Sequence, residues 1–131
     1  MTPPLPTIHH LTLTVADPQA SAEFYQGLLG VADVVQRTGP DWTRLRLLWP
    51  NGLMLGLTRH NGTLPHDRFE HRRIGLDHAG LACAAEEDVH EWARIMDERG
   101  IAHGPIEVEA YGVVVTGRDP DGIPVEFYWP R

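Results

Sequence analysis

The sequence predicts an α+β chain made of two tandem βαβββ modules, and three observations carry that expectation. The order strand, helix, three strands occurs in residues 7–58 and restarts in residues 74–131. The two copies align residue by residue, which is stronger than a shared order of elements. Each copy also closes on a tight turn followed by an apolar strand. The clearest case is Arg118 to Trp129, where Asp119-Pro120-Asp121-Gly122 has turn chemistry and Ile123 to Trp129 is mostly β-branched and aromatic. A chain of 131 residues suits one domain, 1–131, with residues 59–73 as a polar linker between the repeats.

Taken in order, Ile8 to Val15 alternates like a half-buried strand, with Leu11, Leu13 and Val15 on one face and His10, Thr12 and Thr14 on the other. Asp17-Pro18 reads as an N-cap and first helical residue, Ala20, Phe24 and Leu28 form an apolar stripe, and Gly30 ends the helix. Strands are expected at Val31 to Gln36, Trp42 to Trp49 and Leu53 to Thr58, separated by turns at Thr38-Gly39-Pro40 and Pro50-Asn51-Gly52. In the second copy Leu76 to Cys83 is a strand. Glu86, Glu87 and Asp88 open a helix with Val89, Trp92 and Met96 on one face, closed by Gly100. Strands at Glu107 to Val108, Val113 to Arg118 and Ile123 to Trp129 complete the set.

The repeat places His10 over His78 and Gly56 over Glu126. A lone strand histidine is more often hydrogen-bonded or exposed than a metal ligand. Two at one point of a repeat, with a carboxylate at a third related point, are hard to dismiss. His10, His78 and Glu126 are therefore the candidate ligands of a divalent metal, two imidazoles and a carboxylate that leave coordination positions open. The repeat selects His10 over His9, which is expected to face the opposite way. Thr12, Thr14, Met54 and Tyr128 share the ligand face and are pocket-wall candidates. Trp42, Arg46 and Tyr111 are candidates for holding an aromatic or anionic substrate, weighed against ordinary packing or exposure. Cys83 has the parity of a small residue behind the sheet, and His60, His66, His71, His90 and His103 are expected at the surface.

Composition narrows the rest. The net charge is −7, and all eleven basic residues are Arg. No basic run offers a nucleic acid or membrane surface, and without lysine there is no Schiff base and no P-loop. No apolar run approaches a membrane span, and Met1-Thr2-Pro3-Pro4 lacks the features of a signal peptide. With Cys83 as the one cysteine, a cytoplasmic protein is expected.

Four stretches carry a resemblance: Ile8 to Asp17, Ser21 to Tyr25 with Leu29-Gly30, Gly75 to Leu81, and Arg118 to Phe127. Together they resemble the vicinal oxygen chelate superfamily of glyoxalase I, bleomycin and fosfomycin resistance proteins and extradiol dioxygenases. The resemblance implies that each module curls its mixed sheet around a cleft, and that His10, His78 and Glu126 match the metal ligands. Gly56 departs from glyoxalase I, which has a ligand there, and this weighs against lactoylglutathione lyase activity. The expected function is a dioxygenase-like or lyase-like enzyme in which Fe, Mn, Zn or Ni binds a small molecule through adjacent oxygens. Glu126 is also the candidate catalytic group. The alternative is a bleomycin-resistance-like binding protein without catalysis. The resemblance further points to a homodimer; the 59–73 linker allows modules to pair within a chain or across chains, with the cross-chain site favoured, and glutamate at position 56 is expected to be tolerated.

Overall fold

The two aligned turns fold alike. In the computed structural model, which describes residues 1–131, Gly52 and Gly122 have φ of 92° and 83°, where a side chain would be strained. Trp49 N–H donates to Leu53 O and Asp119 N–H to Ile123 O, each at 3.0 Å. Gly52 N–H returns to Trp49 O as Gly122 N–H returns to Asp119 O. In the second turn the buried Asp119 carboxylate also accepts from the N–H groups of Asp121 and Ile123, both at 2.9 Å. Each turn launches the strand that becomes an inner strand of its sheet.

The chain divides into two compact units, Met1–His66 and Asp67–Arg131, with the division inside the polar segment 59–73. The first contains β1 (Leu11–Thr14), α1 (Pro18–Leu29), β2 (Asp33–Thr38), β3 (Trp42–Leu48) and β4 (Met54–His60). Its sheet has the order β1-β4-β3-β2, with β1 parallel to β4 and the other pairs antiparallel. β1 is shorter than the expected Ile8–Val15 because its partner starts at Met54, one residue before the Leu55 that faces Leu11. β4 runs on to His60, paired with Trp42.

Asp17 caps α1 as expected, its carboxylate accepting from Gln19 N–H at 3.0 Å and Ala20 N–H at 3.3 Å. The buried stripe is Ser21, Ala22, Tyr25 and Leu28 rather than Ala20, Phe24 and Leu28. The helix is rotated by about one position, so that Tyr25, 2 % exposed, packs against the sheet. The core lies on one face of the sheet, where Leu13, Leu45, Leu47, Leu55 and Leu57 are buried. Burial of each such leucine contributes about 1.5–3 kcal/mol. Trp49 Nε1–H donates to Gly30 O at 2.8 Å and ties the helix end to the sheet.

The second unit repeats the plan with β5 (Ala79–Ala82), α2 (Glu86–Glu98), β6 (Glu107–Glu109), β7 (Gly112–Arg118) and β8 (Pro124–Pro130), in sheet order β5-β8-β7-β6. β5 and β8 are parallel. Val89, Ala93 and Met96 of α2 are buried, and Trp92 stacks on Phe127 with ring centroids 4.5 Å apart. Ala85 has no side chain with which to cap α2, so Asp88 reaches back to its N–H at 3.1 Å. His103, expected at the surface, is half-buried. Its ring nitrogens bond Gly104 O at 2.7 Å and Asp97 at 2.6 Å, fastening the segment after α2 to the helix end. Cys83 is half-buried rather than in the core, and burial pushes its thiol up, so it stays protonated at neutral pH. No helix is long and apolar enough to cross a membrane. The fold is α+β, two tandem βαβββ modules, as the sequence predicts.

Candidate functional site

Alternation on paired strands puts the apolar core on one face of each sheet and the candidate residues on the other. In the second unit Glu126 lies opposite Gly80 on one side and Thr116 on the other. Gly80 leaves the space beside it open, with no atom within 4 Å of where a Cβ would stand. Thr116 Oγ1–H donates to Glu126 Oε1 at 3.4 Å. The other carboxylate oxygen, Oε2, is 3.3 Å from His78 Nε2. Two donors on one ion at bond lengths near 2.1 Å stand roughly 3–3.5 Å apart, so this spacing fits a shared metal.

The state of His78 is set from its other side. Its Nδ1 is 2.6 Å from Asp77 Oδ1. A carboxylate only accepts, so Nδ1 carries the proton. That bond holds the Asp77 carboxyl below the usual carboxylate range. Nε2 then faces a second carboxylate, and this contact is favourable only with a proton or a cation between them. An imidazole oriented by a carboxylate on one nitrogen and offering the other is how protein metal sites hold histidine.

The first unit repeats this feature with a different partner. His10 Nδ1 is 2.9 Å from Nδ1 of His9, which occupies the position of Asp77 in the repeat. His9 does not face the opposite way, as alternation implied. β1 begins at Leu11, so the two-residue period does not extend back to His9. At Gly56 the expected tolerance of glutamate depends on Thr12 giving way. A Cβ there would lie 2.7 Å from Thr12 Oγ1 and 3.0 Å from its Cγ2. Thr12 fills in the first module the space that Gly80 leaves empty in the second.

Beside His9 and His10 the first unit holds a cavity of about 320 Å³. Thr12, Met54 and Gly56 line it from β1 and β4, and Trp42, Arg44 and Arg46 from β3, with Arg37 on β2. Four expected residues, Thr12, Trp42, Arg46 and Met54, therefore come together with His10. Thr14 shares the face but does not line the cavity. Tyr111 and Tyr128, in the second unit, pair with each other. Their rings stack at 6.5 Å, and Tyr128 O–H donates to Tyr111 O at 2.9 Å. The Tyr128 ring lies over Gly112, two residues beyond its own strand partner Val114 and so further from Glu126. The residues that sequence reasoning missed are His9, Arg37 and Arg44. Arg44 had a signal, because Trp42, Arg44 and Arg46 alternate along one strand.

Neither unit by itself gathers three His, Cys, Asp or Glu side chains into a metal-holding group. Two candidate ligands, His78 and Glu126, belong to the second unit and His10 to the first.

Known proteins share this fold. The model of the Glyoxalase/Bleomycin resistance protein/Dioxygenase superfamily matches residues 7–127. No curated protein matches the chain. Among solved structures, a glyoxylase/bleomycin resistance protein/dioxygenase domain from Frankia sp. EAN1pec is 28 % identical, with a TM-score of 0.88, covering 97 % of this chain and 99 % of that one. TnmS3, an antibiotic binding protein from Streptomyces sp. CB03234, is 19 % identical with a TM-score of 0.73, over 99 % and 100 % of the two chains. A variant of FosX, a fosfomycin resistance protein from Listeria monocytogenes, was solved with Mn(II) and 1S,2S-dihydroxypropylphosphonic acid. It is 19 % identical, with a TM-score of 0.69, over 95 % of this chain and 90 % of that one. The two likenesses at 19 % concern the fold alone.

Proposed function

The chain belongs to the glyoxalase/bleomycin resistance protein/dioxygenase superfamily, and from that premise we propose that it is a metal-dependent enzyme acting on a small vicinally oxygenated substrate. His78 and Glu126 hold a divalent metal ion, and His10 of a first module, from the same chain or a second copy, supplies the third ligand. The observation that carries this reading is the His78–Glu126 pair at 3.3 Å, with Asp77 fixing the tautomer that aims Nε2 at the carboxylate.

When bound, the metal supplies Lewis acidity and a template for two adjacent substrate oxygens. The chain's own residues do the rest. Asp77 and His9 orient the two imidazoles. Thr116 holds one Glu126 oxygen and leaves the other for the ion or for a substrate proton. Thr12, Met54 and Trp42 wall the space beside His10 and keep bulk water from one side of it. The second reading, a binding protein without catalysis, draws on Thr12. It fills the place of a fourth ligand, so only one module retains a carboxylate.

Metal analysis of the chain purified without chelators separates the two readings. His78→Ala and Glu126→Ala are each expected to lose most of the bound divalent metal, on the order of a 10–100-fold loss in affinity or more. Circular dichroism should stay unchanged, because neither side chain packs in the core. Unchanged metal content in both variants refutes the site.

A further inference from the structure

The cavity beside His10 carries a charge that the proposed metal chemistry does not use. Arg37, Arg44 and Arg46 converge on it from two neighbouring strands, in a chain of net charge −7. Arg37 pairs with Arg44 across β2 and β3, and Arg46 stands two residues further along the same face. Like charges on facing positions of a sheet repel and are destabilising. No carboxylate offsets them, since none of the three takes part in a salt bridge, whereas Arg72, Arg73 and Arg94 all do.

Two of the three are also prepared. Arg44 Nε–H donates to Thr58 Oγ1 at 2.7 Å, and its guanidinium lies 4.6 Å over the Trp42 ring. Trp42 in turn rests on Gly39, where a Cβ would lie 2.3 Å from the ring. Arg46 Nε is buried and has no hydrogen-bond partner. A buried guanidinium donor left without an acceptor is costly, and a bound oxyanion relieves both that cost and the repulsion.

We infer that Arg37, Arg44 and Arg46 form an anion subsite, and that the ligand of this cavity is a small organic acid. Its carboxylate or phosphate group sits against the guanidinium groups. The inference rests on the functional reading above in one respect: the remainder of the molecule, directed at His10, is the part that presents adjacent oxygens to the metal. From His10, Arg46 is two strands across and two residues along, roughly 12 Å between Cα atoms at ordinary sheet spacings. Both side chains reach inward over that gap, so a compact acid spans it.

The test is a titration of the full-length chain with benzoate, with phenyl phosphate and with neutral benzyl alcohol, followed by the arginine Nε–H signals in nuclear magnetic resonance. Both anions should shift the Arg44 and Arg46 signals saturably, while benzyl alcohol leaves them in place. Arg46→Met should weaken anion binding about tenfold, the loss of one strong charge-assisted contact, and Arg46→Lys should fall between. Equal responses to the alcohol and the anions, or affinity within about twofold of wild type in Arg46→Met, overturn the subsite. If Arg46→Met does not fold, Arg37→Gln at the exposed strand edge replaces it, with the same criterion. Repeating the titration on chelator-treated protein and on His78→Ala separates this inference from the metal site. Anion binding that persists while His78→Ala and Glu126→Ala leave metal content unchanged refutes the metal and keeps the subsite. Metal binding without any anion response does the reverse.

Discussion

Thr12 and Gly56 divide between them a space that Gly80 and Glu126 divide the other way. In the first module the edge strand carries the side chain and the inner strand has none, and in the second the arrangement is inverted. Gly56→Glu should therefore destabilise by about 1–3 kcal/mol through overpacking against Thr12, as measured by urea unfolding. In Thr12→Gly/Gly56→Glu the two changes should be less harmful together than the sum of the singles, by about 1 kcal/mol or more. A fully additive pair would show that the glutamate side chain avoids Thr12. The candidate ligand positions were legible in the sequence because the repeat aligned them. This contact was not, since alignment says which positions correspond but nothing of which neighbour fills the gap. His9 was misjudged for a related reason: strand alternation holds only while the ladder lasts, and its end depends on where the partner begins.

Among the elements, α2 and the segment that follows it show what polar labels conceal. His103 looked like a surface histidine because nothing in the repeat answers to it. In the fold it joins Gly104 O and Asp97, and both bonds raise its tendency to hold a proton. A group whose folded value is raised adds stability that is full below its ordinary value and lost as pH rises through the raised one. His103→Gln should thus cost about 1 kcal/mol near pH 5.5 and much less near pH 8.5. Unfolding of both proteins at the two pH values checks the sign, and a larger cost at the higher pH would contradict it. In α1 the helix, its Asp17 cap and its Gly30 end were readable from residue types. Its buried face was not, because Ser21 and Tyr25 count as polar in a pattern yet are buried under the sheet.

Across the whole molecule, the duplicated order of elements and the matching turns were legible throughout, since each rests on local chemistry that the second copy repeats. The pairing of modules was not, because a sequence does not say whether a module completes a site with its neighbour in the chain or with a second copy. Mixed refolding decides this. His10→Ala and Glu126→Ala should each hold little metal alone. If the site joins two copies, every mixed dimer has one intact site, and random pairing restores about a quarter of all sites. A site completed within one chain recovers nothing, so the absence of metal in the refolded mixture refutes the cross-chain arrangement.

The Thr12–Gly56 contact also constrains how the two positions can change. A lineage starting from this sequence meets a penalty if glutamate arrives at position 56 first, and none of that kind if Thr12 shrinks first. The order of the two steps is therefore constrained: the threonine has to shrink before the glutamate arrives. One threonine hydroxyl and methyl thus decide which of the two modules has room for a glutamate at this point of the repeat.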